Sequence, residues 1–489
     1  MTTRPPSIVV LGAGMSGLCM GALLKRAGIE SFQIIERSGG VGGTWWDNVY
    51  PGAQCDVPSH LYSYSFEPNA DWSRVYAPAG EIQAYAEHCA DAYGLRAHLR
   101  LGTTLVSAQF DGDRALWHLT TAGGERLEAD VFIASVGPLN HPRWPDGIGA
   151  FRGVVMHSAR WDASYDARGR HVALIGSAAS AVQIAPPLAA AADHLTIFQR
   201  TPSWILPRPD RAYSTIERTL FRVRPIAQLH RAWLYWSHDL RYGAFRGHGA
   251  LHRLMVALAD RHRRMQVTDP ALRARHRPSY PMGCKRILIS NDFYPALGRP
   301  NVTLVSEAAT GFTADSILTA DGGAHRVDAI VCATGFTATD LLPGLQVTGT
   351  GGVRLADLAA QGADAYRGIA LPDFPNFFML LGPNTGSGHT SILIAMEAQA
   401  RYILRCLQVL ARRPRTRMAV RREVAAEHNR RLQERLRATV WASPACGSWY
   451  KTAAGKVVAL YPGTSTRYRL ELRRPKFADF QFEDAPCAS

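Results

Sequence analysis

The stretch Ser7-Ile-Val-Val-Leu-Gly12-Ala-Gly14-Met-Ser16-Gly17 decides the fold, together with Leu18-Cys-Met-Gly-Ala-Leu-Leu-Lys-Arg26 and Ser31-Phe-Gln-Ile-Ile-Glu36. A short, wholly apolar run suits a buried parallel strand. It runs into a Gly-x-Gly-x-x-Gly turn, a helical segment, a second apolar strand and an acid. Glycines at this spacing let backbone N–H groups approach a pyrophosphate at a helix N-terminus. Glu36 stands where a carboxylate accepts hydrogen bonds from an adenosine ribose. Strand, turn, helix and acid together predict a dinucleotide-binding βαβ unit.

The pattern then repeats. His171-Val-Ala-Leu-Ile175 predicts a strand, followed by Gly176-Ser177-Ala178-Ala-Ser180-Ala181, a helix carrying Gln183, and the strand Leu195-Thr-Ile-Phe198. Alanine is accepted at the third motif position, although Ala178 departs from the second glycine. Position 24 after the first glycine is Glu36 in one unit and Arg200, followed by Thr201, in the other. An acid there favours a free ribose hydroxyl, whereas arginine accommodates a 2′-phosphate. The first unit therefore reads as FAD-type and the second as NADPH-type. Gly123 to Ala134 and Gly322 to Ala333 add a further matched pair, each a turn and a strand.

Between the motifs lies Gly39-Gly-Val-Gly-Gly43-Thr44-Trp45-Trp46, whose amides suit a second phosphate or a flat ring and whose indoles suit a wall beside it. Tyr50-Pro-Gly-Ala-Gln-Cys-Asp56 leads on to Tyr62. Asp56 reads either as a solvated turn aspartate or as half of an ion pair. Lys285-Arg286 follows a glycine turn and reads as a surface pair or as one cation for each cofactor. Residues 211–277 break the α/β rhythm and predict a helical insert, with Ser214 and Glu217 as a capping box, Pro225 interrupting a helix, and Leu251, Leu254, Met255 and Leu258 at helical spacing. Trp233, Tyr235 and Trp236 suggest an aromatic face over a substrate pocket. Pro383 to Thr390 suggests a loop feeding a helix N-terminus.

The expected architecture is α/β, with two dinucleotide-binding (Rossmann-like) domains and a helical insertion in the second. Residues 1–150 form the first part of the FAD-binding domain and 151–165 an interdomain linker. Residues 166–210 and 278–335 form the NADPH-binding domain around the 211–277 insertion, and 336–489 the second part of the FAD-binding domain. Composition is that of an ordinary globular protein, 47% hydrophobic and 19% charged. Of the net charge of +15, the insert contributes +10, from fourteen arginines against four acids. A charge so concentrated argues against general nucleic-acid binding. No apolar run is long enough to span a bilayer, and Met1 to Pro6 lacks a secretory h-region. The eight cysteines show no Cys-x2-Cys spacing, which argues for a reducing cytoplasm and against structural zinc.

Phe151-Arg-Gly153-Val-Val-Met-His157-Ser-Ala-Arg-Trp161-Asp162 lies between the two units and reads either as a passive crossover or as a working part. With the two motifs around it, the chain resembles the class B flavoprotein monooxygenases, specifically the Baeyer–Villiger type. That family's Phe-x-Gly-x3-His-x3-Trp-[Pro/Asp] signature is met in full. The resemblance runs from Gly12 to about Gly463. It implies FAD and NADPH as cofactors and conversion of a ketone and O2 to an ester or lactone through a flavin C4a-peroxide. It implies that Arg286 stabilises the peroxide anion with Asp56 as its partner. It further implies that Lys285, Arg200 and Thr201 contact the 2′-phosphate and that Trp449 lies near the nicotinamide ribose. His157 is expected to set the domain arrangement. Two alternatives stay open: an N- or S-oxygenating relative, and a non-catalytic flavoprotein sensor or binding module.

Overall fold

The computed structural model describes residues 5–247, 249–337, 340–362 and 364–486. In chain order, the elements that build the site begin with Ile8–Leu11 (β1), Met15–Arg26 (α1), Phe32–Ile35 (β2), Leu99–Arg100 (β3) and Val131–Ala134 (β4). Next come Val154–His157 (β5), His171–Ile175 (β6), Ala179–Ala191 (α2) and His194–Phe198 (β7). The insert supplies Thr215–Phe221 (α3), Arg224–Asp239 (α4) and Ala250–Gln266 (α5). Val302–Val305 (β8), Ala329–Cys332 (β9), Phe377–Met379 (β10), Ile392–Leu410 (α6) and Ser465–Glu471 (α7) complete the set.

Two five-stranded parallel sheets follow one plan. The first has the order β10-β4-β1-β2-β3, with the motif strand β1 between β4 and β2. The second has the order β5-β9-β6-β7-β8, with the motif strand β6 between β9 and β7. The motif strands and closing strands are almost wholly buried, as apolar runs covered on both faces must be. Each closing strand is preceded by a three-stranded antiparallel meander, at 105–129 and at 309–326. The shared order establishes the α/β fold and the internal duplication together. Helix α6 packs against α1 on one face of the first sheet, joining the C-terminal part of the chain to the N-terminal part.

Within the stretch expected as an interdomain linker, residues 151–165, Val154–His157 forms β5 and pairs in parallel with β9 from Ala329↔Val154 to Cys332↔His157. This edge position in the second sheet corresponds to that of β10 in the first. A parallel partner more than 170 residues away leaves no local trace in the sequence.

The insert is helical, and Ser214 and Glu217 form the capping box at α3. Pro225 stands in the first turn of α4, where its missing N–H costs nothing. The direction of the aromatic face, however, is opposite to expectation. Trp233 and Trp236 point outward, while Phe221, Ala227 and Leu234 face the protein. Periodicity identifies a stripe but does not distinguish inside from outside.

Candidate active site

The first cradle is built by the glycine turn. At Gly17 a Cβ would lie 1.8 Å from the Gly12 carbonyl oxygen, so only glycine lets α1 begin this close to β1. Gly43, at φ +58°, lies against Gly14, where a Cβ would come within 2.9 Å of its Cα. Helix α1 starts at Gly14 without a side-chain cap, leaving its first N–H groups for an anion. Glu36, buried at the end of β2, accepts hydrogen bonds from Ala13 N–H and Ser38 N–H, both 2.8 Å. Each carboxylate oxygen keeps a lone pair for a ribose hydroxyl. Ser16 is buried in the first turn of α1, and Thr44, Trp45 and Trp46 form a short helix from the second glycine run. Trp45 Nε1–H donates to Tyr62 Oη at 3.1 Å, and the Trp46 ring lies over Gly40. These are the features a flavin dinucleotide needs: an uncapped helix N-terminus, a close glycine contact and an acid one strand away.

The second cradle carries the opposite charge. Helix α2 begins at Ala178 without a side-chain cap, and Ala181 is fully buried in its first turn. Ser177 Oγ–H donates to the Thr201 carbonyl at 2.7 Å, and Ser203 Oγ–H returns a bond to the Ser177 carbonyl at 2.8 Å. Burial and the neighbouring Arg200 charge push the Lys285 ammonium below its usual range. An ammonium disfavoured by burial and by a neighbouring positive charge suits a phosphate dianion, which would relieve both. Lys285 also lies 4.8 Å over the Tyr280 ring.

Arg286 turns the other way. Its Nε–H donates to Asp56 Oδ2 and its Nη2–H to Asp56 Oδ1, both at 2.7 Å, in a bidentate pair. Both side chains stay partly open to solvent, 40% and 25% exposed. Burial pushes the Asp56 carboxyl up, but the Arg286 charge and hydrogen bonds outweigh it and hold it below the ordinary carboxylate range. The Asp56 charge raises Arg286 further. Several contacts fix the strand that brings Arg286 here. Leu288–Ile289 pairs with Ile205–Leu206, Trp204 Nε1–H donates to the Tyr280 carbonyl at 2.9 Å, and Trp441 Nε1–H donates to the Gly283 carbonyl at 3.0 Å.

Three comparisons bear on this arrangement. Residues 9–228 match the profile described as pyridine nucleotide-disulphide oxidoreductase. A Baeyer–Villiger monooxygenase of Streptomyces coelicolor is 43% identical over 97% of this chain and 92% of its own length. One from Pseudomonas aeruginosa is 40% identical over 100% of this chain and 95% of its own. The chain belongs to the Baeyer–Villiger monooxygenase family. Among solved structures, OTEMO in complex with FAD and NADP is 26% identical, with a TM-score of 0.88 over 98% of this chain and 100% of that one.

In this family member the site holds residues that motif reading missed. Arg208 is buried, donates through Nη2 to the Cys55 carbonyl at 3.1 Å, and lies 5.1 Å over the Tyr76 ring. It fixes the backbone next to Asp56, and its charge helps hold that carboxyl down. Tyr450, buried beside Arg286, has its phenol pushed up to about 12, chiefly by burial. Neither residue belongs to a motif, and only long-range packing brings them to the site.

Other residues serve the frame. Gln183 bridges the two units: Tyr50 Oη–H donates to its Oε1 at 2.9 Å, and its Nε2–H donates to the Gln54 carbonyl at 2.8 Å. His157 is fully buried, accepts at Nδ1 from Ala159 N–H at 3.1 Å, and packs against Trp144 and Phe336. Trp161 packs on the second-sheet core, whereas Asp162 caps a local turn through Ser164. Trp449 is 42% exposed and stands edge-on to Tyr450, with ring centroids 4.6 Å apart.

The cysteine reading also needs correcting. Cys284 and Cys446 form a disulfide across a sequence separation of 162, with Cα atoms 5.5 Å apart. Spacing rules detect local pairs, and this one is made by the fold. It removes the cysteine argument for a reducing compartment. Cys19, Cys55, Cys89, Cys332 and Cys406 are free and buried, and Cys487 and residues 1–4 lie outside the described residues. Among the described residues there is no cluster with metal-ligand character, and no helix is long and apolar enough to cross a membrane.

Proposed function

We propose that this chain is an FAD-dependent monooxygenase that uses NADPH and O2 to convert a ketone to an ester or lactone. The single observation that carries this reading is the bidentate Asp56–Arg286 pair, with the cation Lys285 next to it in the chain. Adjacent cations thereby serve two sites, Lys285 the 2′-phosphate of NADPH and Arg286 the reacting end of the flavin. Gly12, Gly14, Gly17, Glu36, Gly43 and the Thr44–Trp46 turn would hold FAD. Gly176, Ser177, Ser180, Thr201, Arg200 and Lys285 would hold NADPH, with Trp449 over its ribose. The domain division at 150, 165, 210, 277 and 335 belongs to the same reading, with β5 assigned to the second unit.

FAD, reduced by NADPH, supplies the oxygen-activating chemistry when bound. The chain's own contribution is electrostatic and positional. The Arg286 guanidinium is a fixed positive charge that stabilises negative charge developing in the cleft, with no reorganisation at the moment of reaction. Asp56 orients it through two hydrogen bonds. Arg208 holds the Cys55 backbone next to Asp56, and the buried Tyr450 keeps its surroundings poor in water.

The test is a panel of cyclic, aliphatic and aryl ketones with the purified holoenzyme, scored by NADPH consumption and product mass beside a thioether. An ester or lactone carrying one added oxygen, formed faster than sulfoxide, is the expected product. Sulfoxide alone, or NADPH oxidation with hydrogen peroxide as sole product, would overturn the reading.

A further inference from the structure

The insert presents an apolar stripe to solvent. On α4 and its extension, Leu229, Trp233, Trp236 and Leu240 recur at spacings of 4, 3 and 4, and are 74%, 64%, 52% and 70% exposed. Ile216, at 73%, and Val223, at 49%, precede them. On α5, Leu254, Leu258 and Met265 repeat the pattern at 55%, 42% and 69%. Large apolar side chains aligned on one exposed face mark a docking surface, because leaving them in water forfeits the free energy of burial.

An arginine-lined cavity adjoins this stripe. Arg401, Arg405, Arg469 and Arg473 surround a volume of about 380 Å³ between α6 and α7, with the exposed Leu470 at its rim. The cavity connects to α4 through Tyr235. Its hydroxyl lies 2.8 Å from Thr466 Oγ1, its ring lies under the Arg469 guanidinium at 5.4 Å, and Trp236 stands edge-on against it at 5.2 Å. Arg401 is paired with Glu397, and Arg405 donates to the Arg473 carbonyl. Among the described residues, Arg405, Arg469 and Arg473 have no carboxylate within 4.0 Å.

We propose that this face docks on an anionic phospholipid surface, with the tryptophans and leucines entering the headgroup–acyl boundary and the arginine cavity receiving lipid phosphates. Interfacial helices combine such an apolar stripe with clustered arginines, and indoles favour that boundary. Charge selects the occupant. A second copy would bring its own insert of +10 against this one, and like charges across an interface oppose association. An anionic leaflet complements both features. The proposal does not depend on which substrate the cleft oxygenates.

The test is flotation of the FAD-loaded enzyme with phosphatidylcholine vesicles, with and without a third of phosphatidylglycerol. Binding to the anionic vesicles should exceed binding to phosphatidylcholine by about tenfold or more and weaken with added salt. Trp233→Ser with Trp236→Ser should abolish vesicle binding and leave flavin content, melting temperature and turnover of a soluble ketone unchanged. Arg469→Gln with Arg473→Gln should remove the preference for phosphatidylglycerol. Equal flotation of the tryptophan variant and the parent would overturn the proposal. So would a parent that ignores vesicles but elutes as a dimer which the tryptophan variant converts to monomer, since the stripe would then be an interface between copies.

Discussion

Asp56 and Arg286 lie 230 residues apart in the chain and meet through two parallel hydrogen bonds of 2.7 Å. Asp56 comes from a loop of the first nucleotide unit, and Arg286 from the turn that leads out of the helical insert into the strand Leu288–Ile289. The carboxylate does not neutralise a spare surface charge. It fixes the plane of a guanidinium that stays partly exposed. Asp56→Ala is therefore expected to lower kcat for ketone oxygenation about 10- to 100-fold while flavin content is retained. Arg286→Lys is also expected to lower it, because one ammonium cannot reproduce the bidentate geometry. In a double-mutant cycle, Asp56→Ala should cost little once Arg286 is gone, and fully additive losses would show that the two act separately.

Lys285 and Arg200 should set nucleotide choice. With both replaced by alanine, KM for NADPH is expected to rise by about 10- to 100-fold, since charge-assisted bonds to the phosphate are lost. KM for NADH should change little. Steady-state kinetics with both nucleotides decide the point, and equal losses for the two would place the cations elsewhere.

How much of this was legible depends on sequence distance. The turn from Gly12 to Gly17, Glu36 and the repeat at Gly176 are local patterns, and the two sheets follow them closely. The Asp56–Arg286 pair was assigned by family resemblance alone, since nothing in spacing joins residues 230 apart. Arg208, the pairing of β5 with β9, and the Cys284–Cys446 bond were not legible because each depends on packing between distant segments. The insert failed differently. Its period was correct, but Trp233 and Trp236 face water, and period alone carries no sign.

The disulfide ties the Lys285–Arg286 turn to the loop that carries Trp449 and Tyr450. Cys284→Ser with Cys446→Ser should destabilise the protein by about 2–4 kcal/mol, the usual cost of opening a long closed loop. Chemical denaturation measures this. Turnover should fall more than flavin content, because the released loop borders Arg286 and not the first glycine cradle.

Buried histidines predict acid sensitivity with a definite sign. Burial lowers His157, His238 and His276 from 6.5 to about 4 in the folded protein. The unfolded chain thus binds more protons between these values, and stability rises with pH across that window. The contribution is complete above about 6.5 and is lost as pH falls toward 4. Melting temperature should drop between pH 6.5 and 4.5, and His157→Phe, if it folds, should lessen the drop. A flat profile would mean that these rings are solvated.

The most direct measurement of the central claim is rapid-mixing spectroscopy of Arg286→Ala beside the parent, with product analysis. The variant is expected to keep its flavin and its reduction by NADPH, but to lose ester formation by at least about 10²-fold, the scale of removing a preorganised charge. Ester formation at the parent rate would contradict the account, because the cleft would then work without the cation around which it is built.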